Sequence, residues 1–179
     1  MRHFLFLLLF TFILTAVAGQ AGEEKPMVLL HSEGGRFSVT FPMKPKKHVA
    51  KVATSAGECE LRGYYVLGDI KDTLYLTTYF DLPKGTITDA NRQTIFDERR
   101  EADVKSAKGK LITEKKITLG EKKIEGREYL IERPAVKGHD RGRIYIKGDR
   151  VYQVYAVGPG DWAKSNAVTK YLDSFEIEE

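Results

Sequence analysis

Two apolar patterns follow one another along the chain. Residues 4–18 are apolar almost without a break, with Thr11 and Thr15 the polar interruptions. Beyond residue 26 apolar positions recur mostly every second residue, the period of a strand with one face in a core. Residues 27–32 and the alternating run Phe37-Ser38-Val39-Thr40-Phe41 flank Glu33-Gly34-Gly35-Arg36, so this stretch predicts a hairpin. Pro42 has no N–H to give a ladder and ends the second strand. Residues 46–54 and 58–67 repeat the arrangement around Ser55-Ala56-Gly57. Residues 73–81 form a further strand with two distinct faces, Leu74/Leu76/Thr78/Phe80 and Tyr75/Thr77/Tyr79.

After Pro83-Lys84-Gly85 the period changes. Thr88 or Asp89 suits a helix cap, and residues 90–107 carry a narrow apolar stripe of Ala90, Ile95, Phe96, Ala102, Val104 and Ala107 ahead of Gly109. Such a helix lays one edge on a sheet and keeps most of its charged circumference wet. Residues 110–119 with 123–132, and 142–147 with 150–157, predict two more strand pairs, the second turning at Gly148-Asp149. Residues 134–142 lack periodicity and read as a surface loop. Residues 151–157 are apolar on both faces, as a central strand covered on both sides would be. A helix over 161–173 and a short edge at Phe175-Glu176-Ile177 close the chain. Hairpins dominate, and helices do not alternate with strands. The fold class is therefore α+β, one mainly antiparallel sheet with helices packed on its faces. No linker divides residues 27–179, which read as a single domain.

Composition changes the picture first at the N-terminus. Arg2 is the one Lys, Arg, Asp or Glu in residues 1–18, and Ala16-Val17-Ala18 puts small side chains where a peptidase groove needs them. Residues 1–18 are expected to be a cleaved signal peptide and 19–26 a flexible leader. The apolar run is shorter than the roughly 20 residues of a spanning helix, and Gly19 stands where a lipoprotein would have Cys, so no stable membrane anchor is expected. The expected location is the periplasm or the extracellular space. The 29 basic and 25 acidic side chains are interspersed rather than gathered on a stripe, which argues against nucleic acid as partner. Cys59 is the single cysteine, so no internal disulfide forms and the core alone must hold the fold. Its strand context reads as a small buried hydrophobe rather than a reactive thiol.

Three short motifs carry a resemblance. Phe37-Ser38-Val39-Thr40-Phe41-Pro42-Met43-Lys44-Pro45 is similar to the opening of PsbP/Mog1-like domains. Arg150-Val151-Tyr152-Gln153-Val154 and Tyr171-Leu172-Asp173-Ser174-Phe175 resemble that family's last hairpin and terminal helix, so the likeness spans roughly residues 27–177. The resemblance implies an α/β/α sandwich around an antiparallel sheet. Members of the family include an extrinsic photosystem II subunit, a nuclear Ran-binding factor and exported bacterial proteins. What it implies for function is a binding or assembly role, and no site residue carries over.

The residues themselves carry little catalytic signal. Gly158-Pro159-Gly160-Asp161-Trp162-Ala163 matches G-x-G-x-x-A, but Pro159 removes a phosphate-facing donor and no parallel strand follows, so no dinucleotide cofactor is expected. His31, His48 and His139 lack metal-ligand spacing, and Asp69 and Asp72 belong to a turn, so no metal is expected. No G-x-S-x-G elbow occurs. Two surface features remain. Arg133, Lys137, His139, Arg141 and Arg143 gather beside Asp140 and suit an anionic ligand or an acidic partner. On that reading Arg141→Glu with Arg143→Glu abolishes partner binding and leaves the melting temperature nearly unchanged. Tyr75 and Tyr79 suit stacking on a sugar or peptide unless a helix covers them. The functional expectation is an exported, non-catalytic binding or assembly module whose partner is another envelope protein or a small ligand. The alternatives are a small-ligand carrier with a pocket between sheet and helix, and after it a hydrolase.

Overall fold

A computed structural model describes residues 27–178; the expected signal peptide and leader lie outside these residues. Ten strands and two α-helices follow in order among them. The strands are β1 (Val28–Ser32), β2 (Phe37–Phe41), β3 (Lys46–Thr54), β4 (Gly57–Leu67) and β5 (Leu74–Asp81), then α1 (Arg92–Ala107), β6 (Lys110–Leu119), β7 (Ile124–Arg133), β8 (Gly138–Lys147), β9 (Arg150–Pro159), α2 (Asn166–Asp173) and β10 (Glu176–Ile177). β3 to β9 form one seven-stranded sheet in the order β3-β4-β5-β9-β8-β7-β6, every neighbouring pair antiparallel. β9, the strand apolar on both faces, stands at its centre.

β1, β2 and β10 make a separate three-stranded sheet. One layer of hairpins is thus not the whole of it. The pairing that closes the second sheet, Ser38 with Glu176, joins the β1–β2 hairpin to the last strand. The two faces of the large sheet bury different covers. On one, Phe37, Val39 and Phe41 of β2 and Val168, Tyr171, Leu172 and Phe175 around α2 pack on Tyr75, Tyr79, Tyr145, Tyr152, Val154 and Ala156. On the other, Ile95, Phe96 and Ala107 of α1 pack on Phe80, Tyr129, Ile131, Ile144, Ile146 and Val151. Alternate side chains of each strand thus feed opposite cores.

α1 ends where expected and starts two residues later. The Thr88 hydroxyl accepts from the Asn91 N–H (3.4 Å) and Thr88 N–H donates to Asn91 Oδ1 (2.8 Å) just ahead of the first turn. Its narrow apolar stripe is widened by charged residues that the alternation of hydrophobicity does not reveal. Arg99 and Arg100 are mostly covered, and Asp103 is buried. Arg100 donates to Glu114 of β6 (2.7 Å) and Arg127 of β7 lies over the Phe96 ring, 5.6 Å from its centre. The final helix is shorter than expected: Trp162–Lys164 is a 3-10 turn, and α2 begins behind Ser165, whose hydroxyl accepts from Val168 N–H.

The surface loop expected over 134–142 is instead a one-turn 3-10 helix, Pro134–Val136, followed at once by the first half of β8. Lys137 turns the chain in the left-handed region at φ 47°. β8 carries Gly138, Asp140 and Gly142 on one face there, which is why no apolar period announces it.

Candidate functional site

The residues of the expected basic loop end up on opposite faces of the sheet. Period-two alternation sends Arg133 and Asp140 to the α1 side, and Arg141 and Arg143 to the α2 side. Arg133 Nε donates to both carboxylate oxygens of the fully buried Asp140 at 2.7 Å. Arg143 donates to Glu128 (2.6 Å) and pairs with Asp173 (2.7 Å), while Arg141 reaches Glu128 and Thr169. His139 Nδ1 donates to the Gly160 carbonyl at 2.7 Å, and Lys137 is exposed at the turn. No single basic patch forms from these five; three of them are spent on buried acids. Burial pushes the Glu128 carboxyl up, but hydrogen bonds from Arg143 and Lys115 and the charges of Arg143 and Arg141 outweigh it and hold the group below the usual carboxylate range.

The tyrosine platform is not open either. Tyr75 and Tyr79 are 5% and 6% exposed. Tyr75 meets Trp162 and Tyr171 edge-on (5.0 and 4.9 Å between centres), Tyr79 packs on Phe37, and Arg150 covers the Tyr79 ring at 4.8 Å. The cover comes from α2 and the small sheet rather than from the long helix. These rings are core. Of the histidines, His31 donates to Glu178 (2.8 Å) and His48 packs edge-on against Tyr65. Among the described residues no three His, Cys, Asp or Glu converge as a metal would require. Cys59 is a half-buried free thiol on the α1 side.

A polar cluster lies instead on the α1 face, beneath the C-terminal half of the helix. It is built on three aligned residues, Tyr129 of β7, Gly142 of β8 and Tyr155 of β9, which are register partners across adjacent strands. A Cβ at Gly142 would stand 2.6 Å from the Tyr129 ring and 2.7 Å from that of Tyr155, so glycine is what lets both rings lean over the strand between them. Each hydroxyl then finds a buried carboxylate. Tyr129 donates to Asp103, and Tyr155 donates to Asp140 at 2.7 Å. Asp103 also accepts from Arg99 Nη2 (2.6 Å) and from Gln153 Nε2 (2.8 Å). Two arginine–aspartate–tyrosine units thus stand side by side. Burial, and then the neighbouring aspartate charge, push both tyrosine hydroxyls well above their ordinary range and keep them protonated.

The cluster floors a cavity. This partly open cleft of about 310 Å³ is lined by Leu61, Leu74, Leu76, Thr78 and Val157 of the sheet with Arg99, Asp103, Ser106, Arg133, Gln153 and Tyr155. A second cavity of about 360 Å³ continues between α1 and β3/β5, lined by Phe80, Leu82, Ile95 and Ala102, and Arg99 lines both. These volumes are of the size that small ligands occupy. Arg99 Nε is buried and has no hydrogen-bond partner among the described residues. A buried unpaired donor costs about 1–3 kcal/mol, more beside a charge. α1 leans toward β7, which leaves the sheet face at β4 and β5 open beside it.

Sequence reasoning named Arg133 and Asp140 together but as parts of an exposed loop, and it missed Arg99, Asp103, Tyr129, Gln153 and Tyr155. The available signals were Arg99 and Asp103 one helical turn apart, Gln153 and Tyr155 on one face of an otherwise apolar strand, and a glycine inside β8.

The two sheets and their helices make a PsbP-like fold. The chain is similar to the solution structure of cyanobacterial PsbP (CyanoP) from Synechocystis, with a TM-score of 0.58 and 10% sequence identity over 91% of this chain and 98% of that one. No protein-family profile and no curated protein matches the sequence. Likeness at this identity concerns the fold.

Proposed function

We propose that this chain is an exported, non-catalytic binding module that holds a small ligand between α1 and the β4–β5 side of the sheet. The observation that carries it is the cavity itself: apolar walls from Leu61, Leu74 and Leu76 around a floor of convergent polar groups, one of them unpaired. A non-catalytic role is supported by the state of those groups. Asp103 and Asp140 already accept from arginine and tyrosine, and the tyrosines are held neutral, so neither carboxylate is poised as a base. Export to the periplasm or beyond is supported by the apolar run over residues 4–18 and the small residues Ala16 and Ala18 at its end. Among the described residues no helix is long and apolar enough to cross a membrane. The layering is read as an α/β/α sandwich, supported by α1 on one face and α2 on the other.

Native mass spectrometry of protein purified from its own host tests the reading. A retained extra mass is expected, and it is lost in Leu76→Trp, which fills the cavity. A bare chain mass, together with unmoved Leu61, Leu74 and Leu76 methyl resonances on titration with a library of small apolar compounds, overturns it.

A further inference from the structure

The two ends of the large sheet show different surfaces to water. Because neighbouring strands are antiparallel, one end carries the starts of β3 and β6 together with the β4–β5 and β7–β8 turns. β2 runs toward that same end. Its Phe37 packs on Tyr79, and its Phe41 on Tyr171, which meets Tyr75 near the start of β5. The large apolar side chains that stay exposed all lie in this half. Met27 and Leu29 stand beside the end of β2, and Leu67 and Ile70 at the β4–β5 turn. Ile112 sits at the bulge early in β6 and Val49 in the first half of β3. Among the described residues none lies at the opposite end.

Lysine follows the same division, although the charges are interspersed along the sequence. Lys44, Lys46, Lys47, Lys71, Lys108 and Lys137 are exposed at the apolar end and make no ion pair or hydrogen bond among the described residues. The acids beside them are fewer: Asp69, Asp72 and Glu132, with Asp161 already paired to Lys164 (2.7 Å). At the opposite end acids and bases are mixed, and Arg150 and Arg92 pair with Asp81 and Glu125.

The β4–β5 turn is fixed in shape. The Thr73 N–H (3.2 Å) and hydroxyl (2.6 Å) both donate to the Ile70 carbonyl, and the Gly68 N–H donates to that of Thr73 (3.0 Å). Leu67 and Ile70, 64% and 55% exposed, therefore project from an ordered tip, and neither lines the clefts beside α1. A protein partner would have to bring a pocket for them, whereas a bilayer takes projecting apolar side chains as they stand. We propose that this end of the molecule docks on an anionic lipid bilayer, Leu67 and Ile70 entering the boundary between headgroups and acyl chains and the lysines lying against lipid phosphates. A small apolar insertion joined to basic charge gives reversible association rather than anchoring.

The test floats the full exported chain with vesicles of phosphatidylcholine alone or mixed with phosphatidylglycerol. At about 50 mM salt, partition into the anionic vesicles should exceed that into neutral ones at least tenfold, and the excess should fade toward about 500 mM. Lys46→Gln, Lys47→Gln and Lys71→Gln together should lower partition about a hundredfold, roughly fivefold for each charge. Leu67→Ser with Ile70→Ser should lower it about tenfold or more. All five positions are exposed, so the melting temperature should hold in both variants. A nitroxide on the lipid acyl chains should broaden the Leu67 and Ile70 methyl resonances. Equal partition into both kinds of vesicle, partition that survives the lysine changes, or methyl signals left sharp by the nitroxide overturns the proposal. Retention on polyglutamate without binding to phosphatidylglycerol vesicles overturns it too, and assigns the face to an acidic protein.

Discussion

At Gly142 the difference between one hydrogen and one methyl group decides whether the polar cluster can assemble. β8 passes beneath two tyrosine rings whose centres are 6.4 Å apart, and a methyl at Gly142 would have to displace one of them. Each ring carries a hydroxyl committed to a buried aspartate, so neither moves without breaking a charge-assisted bond. Gly142→Ala is therefore expected to destabilise the fold by about 2–3 kcal/mol, in the upper range for overpacking a tight core. Denaturant melts check this, and a ΔΔG within 0.5 kcal/mol of zero would mean that the rings have free space above the strand. The same glycine shows why the site was poorly legible in the sequence. Asp103 and Asp140 look like any other charge along the chain; what buries them is packing against tyrosines that only the folded sheet places beside them. Arg133 was visible as a basic residue, but Asp140, its partner, lies seven positions away beyond the turn and was read with it as loop.

Among the elements, β8 teaches most. A strand is recognised by alternating hydrophobicity, and the first half of β8 alternates charge with glycine: Arg141 and Arg143 point to the α2 face, Asp140 and Gly142 to the α1 face. The hairpins, by contrast, were legible because their turns are local chemistry, as at Gly148, which takes φ 61° between β8 and β9. The β1–β2 hairpin of the second sheet was legible for the same reason, but its separation from the large sheet and its closure by β10 were not, since Ser38 and Glu176 have no local signal to announce their pairing. Placing β8 correctly reverses the outcome expected of its arginines. Arg141→Glu with Arg143→Glu would set two new carboxylates against Glu128, itself 7% exposed, and strand that charge without its strongest partners. Breaking a buried pair in this way costs about 3–5 kcal/mol, so the melting temperature should fall sharply rather than hold. The same contacts fix a pH dependence. Glu128 is held below its usual range in the folded chain, so its contribution is present above the unfolded carboxyl value and fades as pH drops through the folded one. Melting temperatures of the native chain and Glu128→Gln should therefore converge on acidification from pH 5 toward pH 3; a gap that widens would contradict the assignment.

On the scale of the whole molecule, tyrosine does much of the work that leucine does in other cores. Tyr75, Tyr145, Tyr152 and Tyr171 fill the α2 side, while Tyr129 and Tyr155 stand under α1, so both faces of the large sheet depend on phenol rings kept from ionising. Burial pushes every one of these six hydroxyls upward, and for Tyr129 and Tyr155 an adjacent aspartate adds to it. The sign follows directly. In the unfolded chain these groups lose their protons near the ordinary phenol value of 10, whereas folded they stay neutral, so rising pH favours the unfolded state. The tyrosine contribution should be constant below about pH 9 and fall steeply above about pH 10, with several tyrosines lost together rather than one at a time. The ultraviolet signal of tyrosinate tracks this against circular dichroism. Coincident transitions are expected, because the buried rings ionise only as the sheet opens; a tyrosinate signal that grew to completion while the strands stayed folded would show that the rings are open to water. Such a molecule draws its tolerance of acid and of alkali from different faces, Glu128 with its arginines on one side and the tyrosines on both. A ligand seated beneath α1 would stabilise the folded state at every pH at which it binds, so the acid and alkaline limbs would both move outward.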